Sequence, residues 1–259
     1  MLRPRIIPCL LVRQNGLVKT VNFNPSKYVG DPINAVKIFN EKEVDELIVL
    51  DIDASVENRP PDFRMIENLA KECRMPFCYG GGVKTVDQAV KIVKLGAEKV
   101  AFSSAVIDNP TIIQEVGERI GNQSIVVVLD YKRTGVLGNR LELFTHNGNR
   151  STGIELYEFV RTLNNLNVGE LLLNSIERDG TMKGYDMKVA EKVRELFDGP
   201  LTILGGAGKL QDIKDIVEKF KVIGASAGSL FVFKGKYKAV LINYPSVEEL
   251  NSESNLKKE

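Results

Sequence analysis

The sequence predicts a single (β/α)8 barrel, and three observations support this fold class. The chain has 259 residues, close to the roughly 250 residues typical of such barrels. Eight short apolar runs alternate with amphipathic helical patterns along nearly the whole chain. Two glycine-rich segments, each after a strand pattern, lie about half a chain apart. An open, doubly wound sheet is the alternative, but eight regular units without a linker disfavour it.

The strand candidates are eight runs rich in β-branched and other apolar residues. They cover residues 5–12, 46–52, 76–79, 99–102, 125–130, 170–174, 201–204 and 222–227. The runs are continuously apolar rather than alternating, which is typical of a parallel sheet covered on both faces. We therefore expect one parallel sheet with helices packed on its outer side.

The segments between these runs contain helix-capping residues and apolar residues at helical spacing. Asp31 before Pro32 is an N-cap followed by a first-turn proline, and Thr85 with Gln88 forms a capping box. Apolar residues at helical spacing predict the helix faces that pack on the sheet. These stripes are Val86, Val90 and Val93; Val189, Val193 and Leu196; and Ile213, Ile216, Val217 and Phe220.

The two halves of the chain resemble each other. Residues 79–84 (Tyr-Gly-Gly-Gly-Val-Lys) match residues 204–209 (Leu-Gly-Gly-Ala-Gly-Lys), and a Gly-Ala pair follows each segment. Residues 46–50 and 170–174 also match. The sequence thus predicts that the barrel consists of two four-unit half-barrels.

Composition excludes several classes of function. Lys and Arg number 35 against 34 Asp and Glu, which argues against a general electrostatic nucleic-acid binder. The three cysteines lack metal-ligand spacing, and their odd number disfavours a disulfide framework. The only histidine, His146, cannot build a multi-histidine zinc site, and we expect it to be an exposed residue of a hairpin turn.

No metal, cofactor or membrane contact is expected. The longest apolar run, residues 6–12, is far shorter than the roughly 18 residues of a membrane span. No small-residue cleavage site follows it, so a secretory signal is disfavoured. We expect a cytoplasmic protein with one barrel domain over residues 1–245 and a polar tail over residues 246–259.

Glycine loops after two strands predict phosphate binding at the mouth of the barrel. Glycine lets backbone N–H groups approach an anion closely, and a following helix adds the positive end of its dipole. Two such cradles imply a ligand with phosphates at both ends, although turn geometry also explains either loop by itself. The expected phosphate-binding residues are Gly81, Gly82, Ser103, Ser104, Asp179, Gly180, Gly205, Gly206, Gly228 and Ser229.

Carboxylates at strand ends are the candidates for proton transfer, since barrel active sites lie at the C-terminal ends of the strands. Asp130 ends the apolar run Ile-Val-Val-Val-Leu, where an ion is costly without a purpose. Asp51 is a further candidate, with a structural role in its loop as an equal alternative. Asp53, Glu177 and Asp179 also follow strands and are further candidates, of which Asp53 and Glu177 stay unassigned.

Several motifs, in one order, resemble a known family. They are Arg5-Ile-Ile-Pro-Cys-Leu, Val21-Asn-Phe, Asp51-Ile-Asp-Ala-Ser, Gly80-Gly-Gly, Asp130-Tyr-Lys-Arg, Ser175-Ile-Glu-Arg-Asp-Gly-Thr and Gly205-Gly-Ala-Gly-Lys. Over roughly residues 2–240 the chain is similar to the cyclase subunit of imidazole glycerol phosphate synthase, from histidine biosynthesis. That family is a (β/α)8 barrel with a half-barrel repeat.

The resemblance implies a glutaminase subunit that docks at the bottom of the barrel as a heterodimer and releases ammonia. Ammonia would cross the barrel interior and attack a bis-phosphorylated ribulosyl intermediate. The products would be imidazole glycerol phosphate and an aminoimidazole carboxamide ribotide, with aspartates at the ends of strands one and five as general acid and base. The family's charged ring that gates ammonia entry is matched by Arg5, Glu46, Lys99 and Glu170, and its coupling-loop lysine by Lys19.

The chain departs from the family at one of the two aspartates. Asp130 matches the strand-five aspartate, but Leu11 stands at the strand-one position. Leucine cannot transfer a proton, and a general acid or base typically contributes about 10²–10⁴-fold in rate. Cyclisation should therefore be crippled unless Asp51 or Asp53 substitutes. The first loop and the Ser103-Ser104 pair also differ from the usual family residues.

This combination resembles cyclase-like paralogues of surface-polysaccharide pathways. With a glutaminase-like partner and a separate sugar amidotransferase, those convert an acetamido group on a sugar to an acetamidino group. The barrel would then be chiefly an ammonia conduit and docking scaffold within a glutamine-dependent synthase, without autonomous cyclase activity. The alternatives are a working histidine-pathway cyclase and the sibling isomerase, against which Leu11 also counts.

Overall fold

Eight parallel strands close into a barrel in the computed structural model, which describes residues 3–251. Residues 1–2 and most of the predicted polar tail, 252–259, lie outside the described residues. In chain order the strands are β1 (Arg5–Arg13), β2 (Gly16–Thr20), β3 (Ser26–Gly30), β4 (Leu47–Asp51), β5 (Phe77–Gly80), β6 (Lys99–Phe102), β7 (Ile125–Thr134), β8 (Arg140–Thr145), β9 (Arg150–Glu155), β10 (Glu170–Ser175), β11 (Leu201–Leu204), β12 (Gly224–Ala227), β13 (Phe233–Lys234) and β14 (Ala239–Val240).

Helices connect the barrel strands on the outside. They are α1 (Pro32–Glu41), α2 (Phe63–Glu72), α3 (Val86–Lys94), α4 (Ser104–Asp108), α5 (Ile112–Ile120), α6 (Leu156–Leu163), α7 (Met187–Leu196), α8 (Leu210–Phe220), α9 (Ser229–Val232) and α10 (Val247–Asn251). No helix within residues 3–251 is long and apolar enough to cross a lipid bilayer.

The barrel closes in the order β1, β4, β5, β6, β7, β10, β11, β12 and back to β1. Every one of these pairings is parallel. The predicted (β/α)8 barrel is confirmed. A closed parallel sheet brings the C-terminal ends of all eight strands to one rim, so side chains far apart in sequence share one mouth.

Most predicted strand bounds agree with the structure within one residue at each end. β7 runs on to Thr134 because Asp130–Thr134 also pairs antiparallel with β8. The predicted start of the eighth strand at Val222 is wrong. Lys221 has a left-handed backbone (φ 61°) and Val222 is 46% exposed, so that strand begins at Gly224.

Two hairpins at the mouth were not predicted as strands. β2 pairs with β1 and β3, and β8 pairs with β7 and β9, all antiparallel. The β8–β9 turn begins at His146 and Asn147, both with positive φ (54° and 56°), which confirms the predicted hairpin turn. Each hairpin extends a barrel strand and folds back over the rim.

Both predicted helix caps, Asp31 before α1 and Thr85 before α3, are confirmed.

The glycine loops of the two halves make similar contacts at the start of the next helix. Thr85 and Gln88 form the capping box of α3, with the Gln88 side chain accepting from Lys84 N–H at 2.7 Å. In the second half Asp212 accepts from Gly208 N–H at 2.8 Å at the start of α8. The matching contacts support the half-barrel repeat. Of the predicted stripes only Val90 lies outside the main core.

The barrel interior holds its own apolar cluster, separate from the core between strands and helices. Its buried members are Ile7, Cys9, Ile48, Cys78, Ala101, Val126, Val128, Leu172 and Leu204, with Leu11 and Leu50 packed against them. We call this set the inner cluster. It separates a ring of charged side chains at the bottom of the barrel from a cavity at the top.

Candidate functional site

A cavity of about 120 Å³ opens at the C-terminal ends of the barrel strands, and we call it the mouth cavity. It collects most of the residues that the sequence predicts for the site. Those in its wall are Leu11, Lys19, Asp51, Gly81, Gly82, Ser103, Ser104, Asp130, Asp179, Gly228 and Ser229. Side chains from both halves of the barrel thus meet in one space.

Three predicted phosphate-binding residues do not line this cavity: Gly180, Gly205 and Gly206. A Cβ on Gly206 would lie 2.1 Å from the Gly184 carbonyl oxygen, and one on Gly180 would lie 1.9 Å from the Thr20 carbonyl oxygen. Close backbone packing therefore accounts for glycine at these two positions. Of the second expected phosphate cradle, only Gly228 and Ser229 line the mouth cavity.

Asp130 is a half-buried carboxylate in the wall of the mouth cavity. Its Oδ1 accepts a hydrogen bond from Asn174 Nδ2 at 2.8 Å. Burial raises the pKa of Asp130 to about 7, the Asn174 hydrogen bond works in the opposite direction, and the charge of Asp179 adds to the rise. A carboxyl group that titrates near neutral pH is suited to proton transfer.

Asp51 is held by its own loop, and Asp53 is held by Arg13 of β1. Asp51 Oδ1 accepts from the backbone N–H groups of Asp53 and Ala54, each at 3.1 Å, and Asp51 also pairs with Arg59 at 3.2 Å. Asp53 makes a two-pronged ion pair with Arg13 at 2.7 and 2.8 Å. These contacts favour the structural role for both residues over substitution for the missing aspartate.

Leu11 belongs to the apolar side of the mouth cavity. It lies on β1, in register with Leu50 of β4, and both side chains line the cavity. The cavity therefore has an apolar side around Leu11 and Leu50 and a polar side around Asp130, Asn174 and Asp179. No carboxylate faces Asp130 from position 11.

Lys19 lies on strand β2, within the connection between barrel strand β1 and helix α1. Its Nζ donates to the Cys9 carbonyl oxygen at 2.6 Å. Burial lowers the pKa of Lys19, while the neighbouring Cys9 and Asp179 work against that fall. A Cβ on Gly228 would lie 2.4 Å from Lys19 Nζ, so the ammonium group sits directly beside the second glycine cradle.

Asp179 is a second half-buried carboxylate in the cavity wall, and the Lys19 charge acts on it. Its Oδ2 accepts from Thr20 Oγ1 at 2.7 Å. Burial raises the pKa of Asp179, and the Thr20 hydrogen bond and the Lys19 charge oppose this. The unassigned Glu177 instead pairs with Arg133 at 3.2 Å near the surface.

His146 is half-buried by its turn and lines the mouth cavity, so the expectation of an exposed turn residue is wrong. Its Nδ1 lies 2.9 Å from Thr145 Oγ1. The turn itself is readable from the sequence. Its position over the mouth follows from the β7–β8 pairing, which only the folded barrel shows.

Four charged side chains form a ring at the bottom of the barrel, as the resemblance implied. Lys99 Nζ lies 2.7 Å from a carboxylate oxygen of both Glu46 and Glu170. Arg5 pairs with Glu170 at 2.8 Å and also with Glu46. Each of the four residues lies at or next to the start of a different barrel strand, and together they close the interior from below.

The charges of the ring stabilise one another. Burial by itself would lower the pKa of Lys99, but the Glu170 and Glu46 carboxylates hold it above its ordinary value. Burial would likewise raise the pKa of Glu170, yet Arg5 and Lys99 hold it below its ordinary value. Thr202 Oγ1 also donates to Glu170. The ring is therefore a network of ionised, mutually paired groups.

Sequence reasoning missed Asn174, the polar partner of Asp130. The only indication was an amide at the end of the run Glu-Leu-Leu-Leu-Asn. Within residues 3–251 no group of three or more His, Cys, Asp or Glu side chains is arranged to hold a metal ion. The site offers buried carboxylates, an ammonium group and backbone amides, which suit proton transfer and anion binding.

Comparison with known proteins places this arrangement in a family. The histidine biosynthesis protein model matches residues 5–238. A Vibrio vulnificus protein provisionally named imidazole glycerol phosphate synthase subunit hisF3 is 57% identical over 96% of this chain and 95% of its own length. A Pseudomonas aeruginosa protein provisionally named subunit hisF2 is 47% identical over 97% of this chain and 99% of its own length.

A more distant relative carries the family name without a number. The imidazole glycerol phosphate synthase subunit HisF of Natranaerobius thermophilus is 38% identical over 95% of this chain and 97% of its own length. The match thus extends along nearly the full length of each relative. The chain belongs to the HisF family of imidazole glycerol phosphate synthase cyclase subunits.

Proposed function

We propose that this family member is the ammonia-receiving subunit of a glutamine-dependent synthase whose acceptor lies outside histidine biosynthesis. A glutaminase subunit would dock at the bottom of the barrel, and the barrel would pass ammonia to its mouth. The acceptor we favour is the acetamido group of a sugar in surface-polysaccharide biosynthesis, converted to an acetamidino group with a separate sugar amidotransferase. The names of the relatives as subunits are consistent with a partner chain.

The ring and the inner cluster support passage of neutral ammonia. The ring carries two positive and two negative side chains, all paired, so it offers no free carboxylate to trap an ammonium ion. Above it the apolar inner cluster makes the passage of an ion costly, while a small neutral molecule meets a much lower barrier. Opening would require Lys99 or Arg5 to leave its partners.

The mouth cavity supports binding of a phosphorylated ligand. Gly81, Gly82, Ser103 and Ser104 line its wall, as do Gly228 and Ser229, which lie beside the Lys19 ammonium group. We infer that these residues bind phosphate groups and that the ligand is bis-phosphorylated, as the family resemblance implies. The two glycines absent from the wall, Gly205 and Gly206, would then act by shaping the loop.

The single observation that carries the proposal is Leu11. The family's acid–base pair needs a titratable group on strand β1 together with Asp130, and Leu11 supplies none, while Asp51 and Asp53 are each held by an arginine. Loss of one partner removes about 10²–10⁴-fold in rate, or roughly 3–5 kcal/mol of barrier. The ring residues are meanwhile all present. The identity is also higher to the provisionally named hisF3 and hisF2 proteins (57% and 47%) than to the HisF subunit of Natranaerobius thermophilus (38%).

The second candidate is a working histidine-pathway cyclase. It is favoured by Asp130, whose pKa of about 7 suits a general base, and by the family match over residues 5–238. On this alternative the missing acid would have to come from Lys19, His146 or the substrate. The two candidates make opposite predictions for a single assay.

The test is to supply the purified chain with the bis-phosphorylated ribulosyl substrate and a high concentration of an ammonium salt. Free ammonia replaces the glutaminase, so the assay isolates the barrel. We expect the substrate to bind without formation of imidazole glycerol phosphate. Turnover of roughly 1 per second or more, an ordinary enzyme rate, would overturn the proposal in favour of the cyclase.

A further inference from the structure

A second cavity, of about 360 Å³, lies beside the mouth cavity, and none of the residues invoked so far for phosphate or ammonia lines it. We call it the rim pocket. Its wall comes from the mouth side of four barrel units, those of β1, β4, β7 and β10. Phe23 and Asn147 line both cavities, so the two spaces share part of a wall. A ligand in the rim pocket therefore lies next to the mouth cavity.

Four asparagines line the rim pocket: Asn22, Asn24, Asn147 and Asn149. Within residues 3–251 none of their side-chain amides takes part in a hydrogen bond. The left-handed backbone at Asn22 and Asn147 (φ 52° and 56°) favours asparagine there, but Asn24 and Asn149 have no such backbone. Each amide carries both donors and an acceptor, the combination that pairs with a hydroxyl group. The asparagines thus suit a ligand rich in hydroxyl groups.

Lys132 is a cation of the rim pocket that pairs with no carboxylate of the described residues. Its Nζ lies 5.1 Å from the centroid of the Phe144 ring. Glu142 is opposite Lys132 in the β7–β8 ladder, but its carboxylate accepts from Thr134 Oγ1 at 3.0 Å and from Gly153 N–H at 2.9 Å. The half-buried ammonium group of Lys132 is therefore free to bind an anionic group of a ligand.

The other charged residues of this wall, Arg13 and Asp53, neutralise each other. Arg13 donates to Asp53 at 2.7 and 2.8 Å and to Ser26 Oγ at 2.6 Å. These contacts connect the end of β1 with β3 and with the loop after β4, so they fix one side of the pocket. Because this pair carries no net charge, the wall offers a ligand the single positive charge of Lys132 among neutral amides. Such a wall suits one anionic group better than a cluster of phosphates.

Phe23 adds an apolar surface between the two cavities. Its backbone is left-handed (φ 67°), which is uncommon for a bulky residue. The segment is held by the Asn22 N–H, which donates to the Asp179 carbonyl oxygen at 2.9 Å. A Cβ on Gly148 would lie 3.4 Å from the Phe23 ring, so the ring packs closely on the β8–β9 turn. An aromatic ring beside amides matches a sugar, which has apolar C–H faces and hydroxyl groups at its edges.

We propose that the rim pocket binds a sugar that carries one anionic group. The hydroxyl groups bind the asparagine amides, an apolar face packs on Phe23 and the anionic group pairs with Lys132. This inference rests on the proposed function, in which the acceptor is a sugar, and adds where the barrel holds that sugar. The shared wall at Phe23 and Asn147 then places one edge of the sugar at the mouth cavity, and no covalent step is required.

The test measures binding on the intact chain, labelled with ¹⁵N at asparagine and observed by NMR. Glucuronate is the probe, since it has hydroxyl groups and one carboxylate. Glucose, which lacks the carboxylate, and acetate, which lacks the hydroxyl groups, are titrated separately over the same concentrations. The side-chain resonances of Asn24 and Asn149, both exposed, are assigned by their absence in Asn24→Asp and Asn149→Asp.

We expect saturable shifts of the Asn24 and Asn149 resonances with glucuronate, weaker binding of glucose and no saturable shift with acetate. Lys132→Gln should raise the half-saturating glucuronate concentration at least about tenfold and leave that of glucose within about twofold, since it removes only the charge. Lys132→Arg, which keeps the charge, should retain glucuronate binding. The matched control is Lys192→Gln on α7, where the lysine pairs with Glu195 and does not line the pocket, so glucuronate binding should not change.

Equal shifts with acetate and glucuronate, or no saturable shift of these two resonances with glucuronate, overturn the sugar site. An equal loss of glucose and glucuronate binding in Lys132→Gln overturns the role of Lys132. If glucuronate does not bind but the barrel, a glutaminase and a sugar amidotransferase together form an acetamidino sugar, the proposed function survives and the sugar is held elsewhere. If glucuronate binds but the barrel proves to be a working histidine-pathway cyclase, the rim pocket stands and the proposed function fails.

Discussion

Charged side chains are paired differently at the two ends of the barrel interior. At the bottom Arg5, Lys99, Glu46 and Glu170 pair with one another, and each carboxylate has at least two cationic partners. At the top Asp130 is hydrogen-bonded to a neutral side chain, Asn174, and has a pKa raised by burial to about 7. The same strand, β10, contributes Glu170 to one end and Asn174 to the other.

This difference in charge pairing indicates different roles for the two ends. A ring whose charges are all matched is stable without a ligand and can close the interior. At the top, burial of Asp130 raises its pKa, and its partner Asn174 carries no charge. The charges at the bottom are therefore balanced by ion pairs within the chain, while Asp130 at the top is balanced only by a neutral hydrogen-bond donor.

Leu11→Asp should give the largest change, because it puts a carboxylate at the end of strand β1, where the family has the partner of Asp130. We expect formation of imidazole glycerol phosphate from the bis-phosphorylated ribulosyl substrate and ammonium to rise at least about 100-fold, as for a regained general acid. Product is measured by chromatography. Leu50→Asp, in register on the next strand, is the control and should give no rise. An unchanged rate in Leu11→Asp would mean that the site has diverged beyond this residue.

Asp130→Asn should change how the stability of the protein depends on pH, because it removes a titratable group at the top of the barrel and leaves the ring unchanged. The unfolded chain loses this proton near pH 4 and the folded chain near pH 7, so ionisation of Asp130 lowers stability progressively between about pH 4 and pH 7. The variant should therefore be more stable than the parent by about 4 kcal/mol above pH 7 and by little near pH 4. Urea unfolding at several pH values measures the difference.

The control for this pH effect is Asp215→Asn, at an exposed carboxylate of α8. Its stability difference from the parent should stay nearly constant over the same pH range. A gain in Asp130→Asn that does not change with pH would contradict the raised pKa of Asp130.

Lys99→Ala should weaken the charged ring at the bottom of the barrel and leave the mouth cavity unchanged. It leaves Glu46 and Glu170 with Arg5 alone, and removal of one partner from a buried ion-pair network costs about 3 kcal/mol. With a glutaminase partner, the ratio of product formed to glutamine hydrolysed should fall while phosphate binding stays unchanged. Lys192→Ala, which breaks an exposed pair with Glu195, should change stability by less than about 0.5 kcal/mol. Intact coupling in Lys99→Ala would remove the gate assignment.

Of the four substitutions, Gly81→Ala should have the smallest effect. It should change the mouth cavity and leave the ring intact. Gly81 has φ 127°, and a Cβ would lie 2.5 Å from the Asp51 carbonyl oxygen, so we expect a loss of about 1–3 kcal/mol and weaker phosphate binding. Gly153 also has a positive φ (71°) but no neighbour within 4 Å of a Cβ, so Gly153→Ala should cost about 1 kcal/mol. Equal losses in both would mean that backbone strain alone explains Gly81. Urea unfolding and phosphate titration give both readouts.

The sequence alone was sufficient for the fold class. Eight apolar runs, capping residues such as Thr85 and Gln88, and the repeated glycine loops are local patterns, and local patterns can be read from neighbouring residues in the sequence. The hairpin turn at His146 was readable for the same reason. The start of the eighth strand was not, because Val222 is as apolar as a strand residue and only the left-handed Lys221 before it ends the pattern.

The sequence by itself also determined which groups are present: Asp130, the four ring residues and Leu11 in place of an aspartate. Only the tertiary structure decided how those groups are paired. Lys19 became a buried neighbour of Gly228, His146 came to lie over the mouth, and Asn174 became the hydrogen-bond partner of Asp130. The physical reason is that burial and pairing depend on residues far apart in sequence, which meet only when the parallel sheet closes on itself.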